Sequence, residues 1–188
     1  GPKQGIEVLV LSAAIENTPE DIARFLHKEN EILNPEKLGE FITKRENVPI
    51  LQAFVKRMNF ENMEFDQALR QFLQKFRLPG EAQLIERAME AFAGRYHENN
   101  PDFFPDADTA FILAFSLIML NTDAHNPAIP PAKKMTKPQF IRNNRGIWGG
   151  NADPPQELLE TLYDSIVMEE IKFREDKDQT NEKTVCEC

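Results

Sequence analysis

A chain of 188 residues, 41% hydrophobic and 28% charged, has the composition of one soluble domain that can bury a core without covalent staples. Its 31 acidic against 22 basic residues leave a formal net charge of −9, which argues against a non-specific nucleic-acid binder and against an unaided grip on anionic membrane. Cys186 and Cys188 are the only two cysteines, so no disulfide framework crosses the body of the chain, and a reducing cytosol suits it.

Gly1-Pro2 reads as the remnant of a cleaved tag, and no signal peptide is expected. Helical signals then run from end to end. Thr18-Pro19-Glu20-Asp21 and Asn34-Pro35-Glu36 each place an N-cap residue, a proline at the first helical position and acid near the positive dipole end. Apolar residues recur at helical spacing through Ile22, Phe25 and Leu26, through Leu38, Phe41 and Ile42, and through Ile50, Leu51, Phe54 and Val55. The pattern is longest over Phe65, Ala68, Leu69, Phe72, Leu73 and Phe76, and again over Leu84, Ile85, Ala88, Met89, Phe92 and Tyr96. Ala110 to Leu120 is apolar on every side, which predicts a buried central helix too short to span a bilayer. Leu158, Leu159, Leu162, Tyr163 and Ile166 close the series. Strand-like alternation is hard to find, so the expected fold is all-α, with about nine or ten short helices. From Arg174 the chain is polar and charged, which predicts a domain over 1–173 and a poorly packed tail over 174–188.

Two stretches carry candidate chemistry. Phe76-Arg77-Leu78-Pro79-Gly80-Glu81-Ala82-Gln83 places a carboxylate on a tight turn between two helices, since proline pre-sets φ and glycine admits positive φ. Held there, Glu81 can enter a partner's pocket at little entropic cost, or it can simply favour the N-terminus of the next helix through the dipole. The second stretch, Asn121-Thr122-Asp123-Ala124-His125-Asn126-Pro127, turns abruptly polar after the apolar helix. Its side chains can line a groove or merely satisfy the last carbonyls. Asp123 and His125 also invite a metal or hydrolase reading, but no H-E-x-x-H, G-x-S-x-G or phosphate-cradling glycine loop is present. The glycines at 146, 149 and 150 read as a turn, Lys133-Lys134 with Lys137 as a solvated loop, and the Cys-x-Cys end as too few ligands for zinc.

Together, FRLPGEAQ and the later IMLNTDAHNP strongly resemble the Sec-seven catalytic domain of guanine nucleotide exchange factors for Arf-family GTPases. The likeness extends from Gly5 to about Phe173, through ENTPEDIARFL, FIRNNRGI and ELLETLYDSI. It implies an elongated right-handed superhelix of about ten helices, no cofactor and no bond-breaking chemistry. It implies that Glu81 is the family's glutamic finger, flanked by the partner-facing Leu78, Pro79, Gly80 and Gln83. A hydrophobic groove between that turn and the apolar helix would receive the GTPase switch regions. Phe111, Phe115, Ile118 and Met119 would line it, with Asp108, Asn121, Asp123 and Asn126 as polar contacts at its rim. The implied partner is an Arf-family GTPase, GDP-bound or nucleotide-free, met by a monomeric domain. The implied place is cytoplasmic, peripheral on Golgi, endosomal or plasma membranes, with membrane contact supplied by other regions. Brefeldin A, which wedges into such complexes, would meet Phe115, Ser116, Asp123 and Met135, where Phe115 lacks the hydroxyl of the tyrosine found in sensitive members. Leu84, Ala124, the Pro130-Pro131-Ala132 loop and Trp148 depart from the family pattern and bear on subfamily and Arf preference. The competing reading is a helical scaffold that docks a partner helix without promoting exchange.

Overall fold

Residues 1–11 and 14–174 are described by the computed structural model, and the Cys186/Cys188 tail lies outside them. Among the described residues the fold is all-α, with nine α-helices and three short 3-10 turns. In chain order these are α1 (Pro2–Leu11), α2 (Pro19–Lys28), α3 (Pro35–Ile42), α4 (Val48–Lys56), α5 (Phe65–Leu73), α6 (Ala82–Asn99), α7 (Ala107–His125), α8 (Lys137–Asn143) and α9 (Gln156–Met168). A lone antiparallel bridge joins Trp148 to Ala152.

The expected start signals operate. Thr18 Oγ1 accepts the Asp21 N–H at 3.2 Å, and Asn34 Oδ1 accepts the Lys37 N–H at 2.8 Å. Each satisfies a donor that the first helical turn leaves orphaned, while Pro19 and Pro35 occupy positions with no donor to lose. Asp106 caps α7 by accepting the Thr109 N–H at 2.7 Å. The Thr109 bonds hold the Asp106 carboxyl below its ordinary value.

The chain forms two compact units. The first comprises Gly1–Asn59 and Gln71–Ala91, with Phe173 and Arg174. Here α2 packs on α4, and the buried faces of α2, α3 and α4 supply Leu26, Leu38, Ile42, Leu51 and Phe54. Phe76 joins this core, edge-on to Phe72 at 5.2 Å and to Phe54 at 6.4 Å. Such aromatic pairs add about 0.5–1.5 kcal/mol each beyond the area they bury.

The second unit comprises Phe60–Arg70 and Phe92–Lys172, where α9 packs on α7 and α8. Its centre is aromatic: Phe65 lies edge-on to Tyr96 at 4.9 Å and to Phe104 at 4.8 Å, and Phe104 meets Trp148 at 5.7 Å. The Tyr96 hydroxyl donates to the Met63 carbonyl at 2.9 Å, and burial drives its pKa upward. Arg70 donates to the carbonyls of Ser165, Glu169 and Glu170, placing a cation at the negative end of α9.

Candidate functional site

The segment leading to Glu81 is fastened before it becomes free. Phe76 is fully buried, and the Arg77 N–H donates to the Pro35 carbonyl at 3.1 Å. One turn further along α3, Gly39 lies so near the Arg77 carbonyl that an added Cβ would collide with it. The Lys75 carbonyl accepts from the Asn30 amide at 2.8 Å and from the Arg174 guanidinium at 3.1 Å. Arg87 secures the far side by donating to the Thr43 carbonyl at 3.1 Å.

Between these anchors Leu78 is half-buried, Pro79 is buried, and Gly80, Glu81, Ala82 and Gln83 are exposed. Pro79 is therefore an internal support rather than the partner-facing residue expected of it. Gly80 is not in the positive-φ region, and a Cβ there would meet nothing within 4 Å. Neither backbone strain nor internal packing demands glycine at that position, contrary to the tight-turn argument. The Glu81 carbonyl accepts the Leu84 and Ile85 N–H groups, which makes it the first acceptor of α6. Its carboxylate makes no hydrogen bond or ion pair with any described residue. A capping role for that side chain is thus not realised.

In the second unit, α7 departs from the expectation of a helix buried all round. Leu113, Ala114, Leu117 and Leu120 are inside, but Met119 is 64% exposed and Ile112 is 42% exposed. Phe111, Phe115, Ser116 and Ile118 are half-buried, and the Phe111 and Phe115 rings meet edge-on at 5.2 Å. One side of the apolar helix faces the core while the other presents a contiguous apolar strip to water. By length and composition alone α7 would pass as a membrane span. Its packing on α9 and its polar end place it instead as a core helix with one outward face.

The polar end sorts itself by hydrogen bonding. Asn121 is 4% exposed, accepting from the Ile171 N–H at 2.7 Å and donating to the Ile171 carbonyl at 3.3 Å. It is an internal clasp, not the rim contact expected of it, because both halves of its amide are already engaged. Asp108 is exposed. Asp123 accepts the Met135 N–H at 2.6 Å, and Asn126 accepts the Ala128 N–H at 2.9 Å. His125 Nε2 lies 2.7 Å from the Ile166 carbonyl, so that nitrogen carries the proton. With Asp123 and His125 both engaged on backbone, and no metal-holding group of His, Cys, Asp and Glu among the described residues, the hydrolase reading finds no support. Asp123 and Met135 instead share the wall of an open cleft of about 430 Å³ with Lys133, Gln139, Arg142 and Asn143.

Sequence reasoning missed Asn30, Gly39 and Arg174 as supports of the Glu81 segment. Only Gly39 carried a signal, a glycine inside a helical pattern where alanine would be favoured by about 1 kcal/mol.

The described residues thus present an all-helical fold with, in the first unit, an exposed carboxylate on an anchored segment and, in the second, an exposed apolar helix face. The sequence pattern of the Sec7 domain matches residues 1–171, and the chain belongs to that family. It is 48% identical over 186 residues to the "Ankyrin repeat, PH and SEC7 domain containing protein secG" of Dictyostelium discoideum, covering 96% of this chain and 18% of that protein. It is 50% identical over 177 residues to cytohesin-2 of Homo sapiens, covering 93% of this chain and 43% of that one. The fold superposes with a TM-score of 0.83, at 37% identity, on the Sec7 domain in a structure of ARF1-GDP bound to a Sec7 domain complexed with brefeldin A. That match covers 91% of this chain and 86% of the other. The chain spans less than half the length of these two relatives.

Proposed function

We propose that this chain is a guanine nucleotide exchange factor for Arf-family small GTPases, with Glu81 as its acidic finger. The observation that carries the reading is a carboxylate held by a fixed base yet bonded to nothing among the described residues. Exposed at the start of α6, that side chain is left to water and is available to a partner. The similar Sec7 domain whose structure contains ARF1-GDP supports an Arf protein as the partner.

GDP bound at nanomolar to picomolar strength is held by about 12–16 kcal/mol, so unaided release is slow. Much of that hold comes from Mg²⁺ and a lysine on the β-phosphate. Glu81 enters beside the phosphates, repels them and competes for the lysine. At about 4 Å and an effective dielectric near 20, one unit-charge repulsion reaches about 4 kcal/mol, equivalent to roughly a thousandfold in release rate. The outward face of α7, through Phe111, Phe115, Ile118 and Met119, binds the switch regions in a conformation that opens the metal site. Asp108 and Asn126 contribute polar contacts beside it. Tighter binding to the nucleotide-free GTPase than to the GDP form is what makes the interaction catalytic.

The cellular setting proposed with this activity is Arf signalling in vesicle traffic, by a cytoplasmic protein acting peripherally on Golgi, endosomal or plasma membranes. GDP release from a panel of Arf-family proteins on liposomes tests it. Glu81→Lys should lose about a thousandfold of stimulated release, since attraction replaces repulsion. Met119→Ala should instead weaken affinity for nucleotide-free GTPase. Wild-type exchange by Glu81→Lys would remove the finger assignment, and a wild type that stimulates no release and binds with affinity indifferent to nucleotide state would establish the scaffold reading in its place.

A further inference from the structure

We infer that Arg174, just beyond the last helix, is a positioning residue for exchange, acting on Glu81 through the backbone at Lys75. Its guanidinium makes four hydrogen bonds inside the first unit. Nη1 donates to Asn30 Oδ1 at 2.6 Å and to the Lys75 carbonyl at 3.1 Å. Nη2 donates to the Asn30 carbonyl at 2.5 Å and to the Leu33 carbonyl at 3.2 Å. None of these acceptors is a carboxylate, so Arg174 serves as a planar multidentate donor rather than as half of an ion pair. Asn30 is 5% exposed and donates its own amide to the same Lys75 carbonyl. Three segments far apart in sequence, around residues 30, 75 and 174, thus converge on one oxygen.

That oxygen stands at the foot of the segment carrying the finger. From Lys75 the chain passes through buried Phe76 and the Arg77–Pro35 bond, and then runs exposed from Gly80 to Gln83. Beyond buried Pro79 the Glu81 carbonyl accepts the first N–H groups of α6, so the course of the carboxylate is set by the foot at Lys75 on one side and by the start of α6 on the other. Four residues from Arg77 to Glu81 span at most about 13 Å, so a shift of the chain at Lys75 lies close enough to be carried to the carboxylate. A misplacement of about 1 Å is enough to cost about a hundredfold in a catalysed step.

This inference rests on Glu81 being the exchange residue, and the experiment keeps the two apart. GDP release from an Arf-family GTPase is measured for the wild type, Arg174→Ala, Arg174→Lys, Glu81→Lys and Arg174→Ala/Glu81→Lys. Rates are normalised to the fraction of each chain that captures nucleotide-free GTPase. Arg174→Ala should lower kcat by about ten- to a hundredfold and leave KM within about twofold, as expected for lost positioning without lost binding. Arg174→Lys, which keeps the charge but not the fork, should fall between. If Arg174→Ala does not fold, Arg174→Lys carries the same test. In the Glu81→Lys background, Arg174→Ala should lower the residual rate no further. Unchanged kcat in Arg174→Ala and Arg174→Lys, or an equal fall in both backgrounds, overturns the inference while leaving Glu81 in its role. Full activity of Glu81→Lys overturns the reading beneath it.

Discussion

Gly39→Ala sets two known effects against each other. Alanine in a helix interior is favoured over glycine by about 1 kcal/mol, so on propensity alone the substitution stabilises α3. The structure reverses that expectation. The new methyl would overlap the Arg77 carbonyl oxygen, with the Arg77 carbonyl carbon at 3.2 Å and Phe76 Cδ2 at 3.3 Å. Neither side yields easily. Phe76 is fully buried, Arg77 is bonded to Pro35, and the Gly39 carbonyl already accepts from both the Thr43 N–H and its hydroxyl. Overpacking of this kind costs about 1–3 kcal/mol, and distortion of the Arg77–Pro35 bond adds up to about 1 kcal/mol. The expected net effect is a loss of about 1–2 kcal/mol in urea unfolding, with the slope unchanged. Exchange should fall by about ten- to a hundredfold, because the segment carrying Glu81 must move by roughly an ångström. A variant more stable than the wild type, with exchange intact, would show that the Arg77 backbone moves freely and that the anchored base is not what aims the finger.

His27 lies against Phe54 at 5.4 Å, and its pKa is lowered from 6.5 by burial, with Lys75 and Arg57 adding repulsion. Below pH 6.5 the unfolded chain therefore takes up this proton more readily than the folded one. Stability should decline as pH falls from 6.5 toward the lower folded value, and His27→Gln should flatten that part of a stability–pH profile. A profile unaltered by the substitution refutes the assignment. Phe115→Tyr restores a hydroxyl donor on the half-exposed face of α7 and should strengthen inhibition of exchange by brefeldin A. Full inhibition of the unmodified chain at low drug concentration would contradict it.

The helices were legible because their apolar spacing and proline-marked starts act locally. Thr18 and Asn34 cap as their neighbours in sequence require. What misled was α7, whose apolar residues do not reveal whether they face a core or a partner. Periodicity reports hydrophobicity, not what covers it, so Met119 and Leu117 look alike until the packing is seen. Asn121 was misplaced for the same reason, since its clasp on Ile171 is 50 residues away along the chain. Glu81 stood out through its Pro-Gly turn, and the role proposed for it came from the family motif. Its supports were not legible, because the Arg174–Asn30 contact joins residues 144 apart and leaves no mark on local composition.

The outward face of α7 also bears on how the free protein behaves in solution. Ile112 and Met119, beside partly uncovered Phe111 and Phe115, offer copies of the molecule a place to stick. A net charge of −9 opposes that by mutual repulsion. The repulsion fades as the medium approaches the isoelectric point near 4.9, and is screened by added salt. Mild acid and high ionic strength should therefore cloud concentrated samples, and an engaged GTPase should keep them clear.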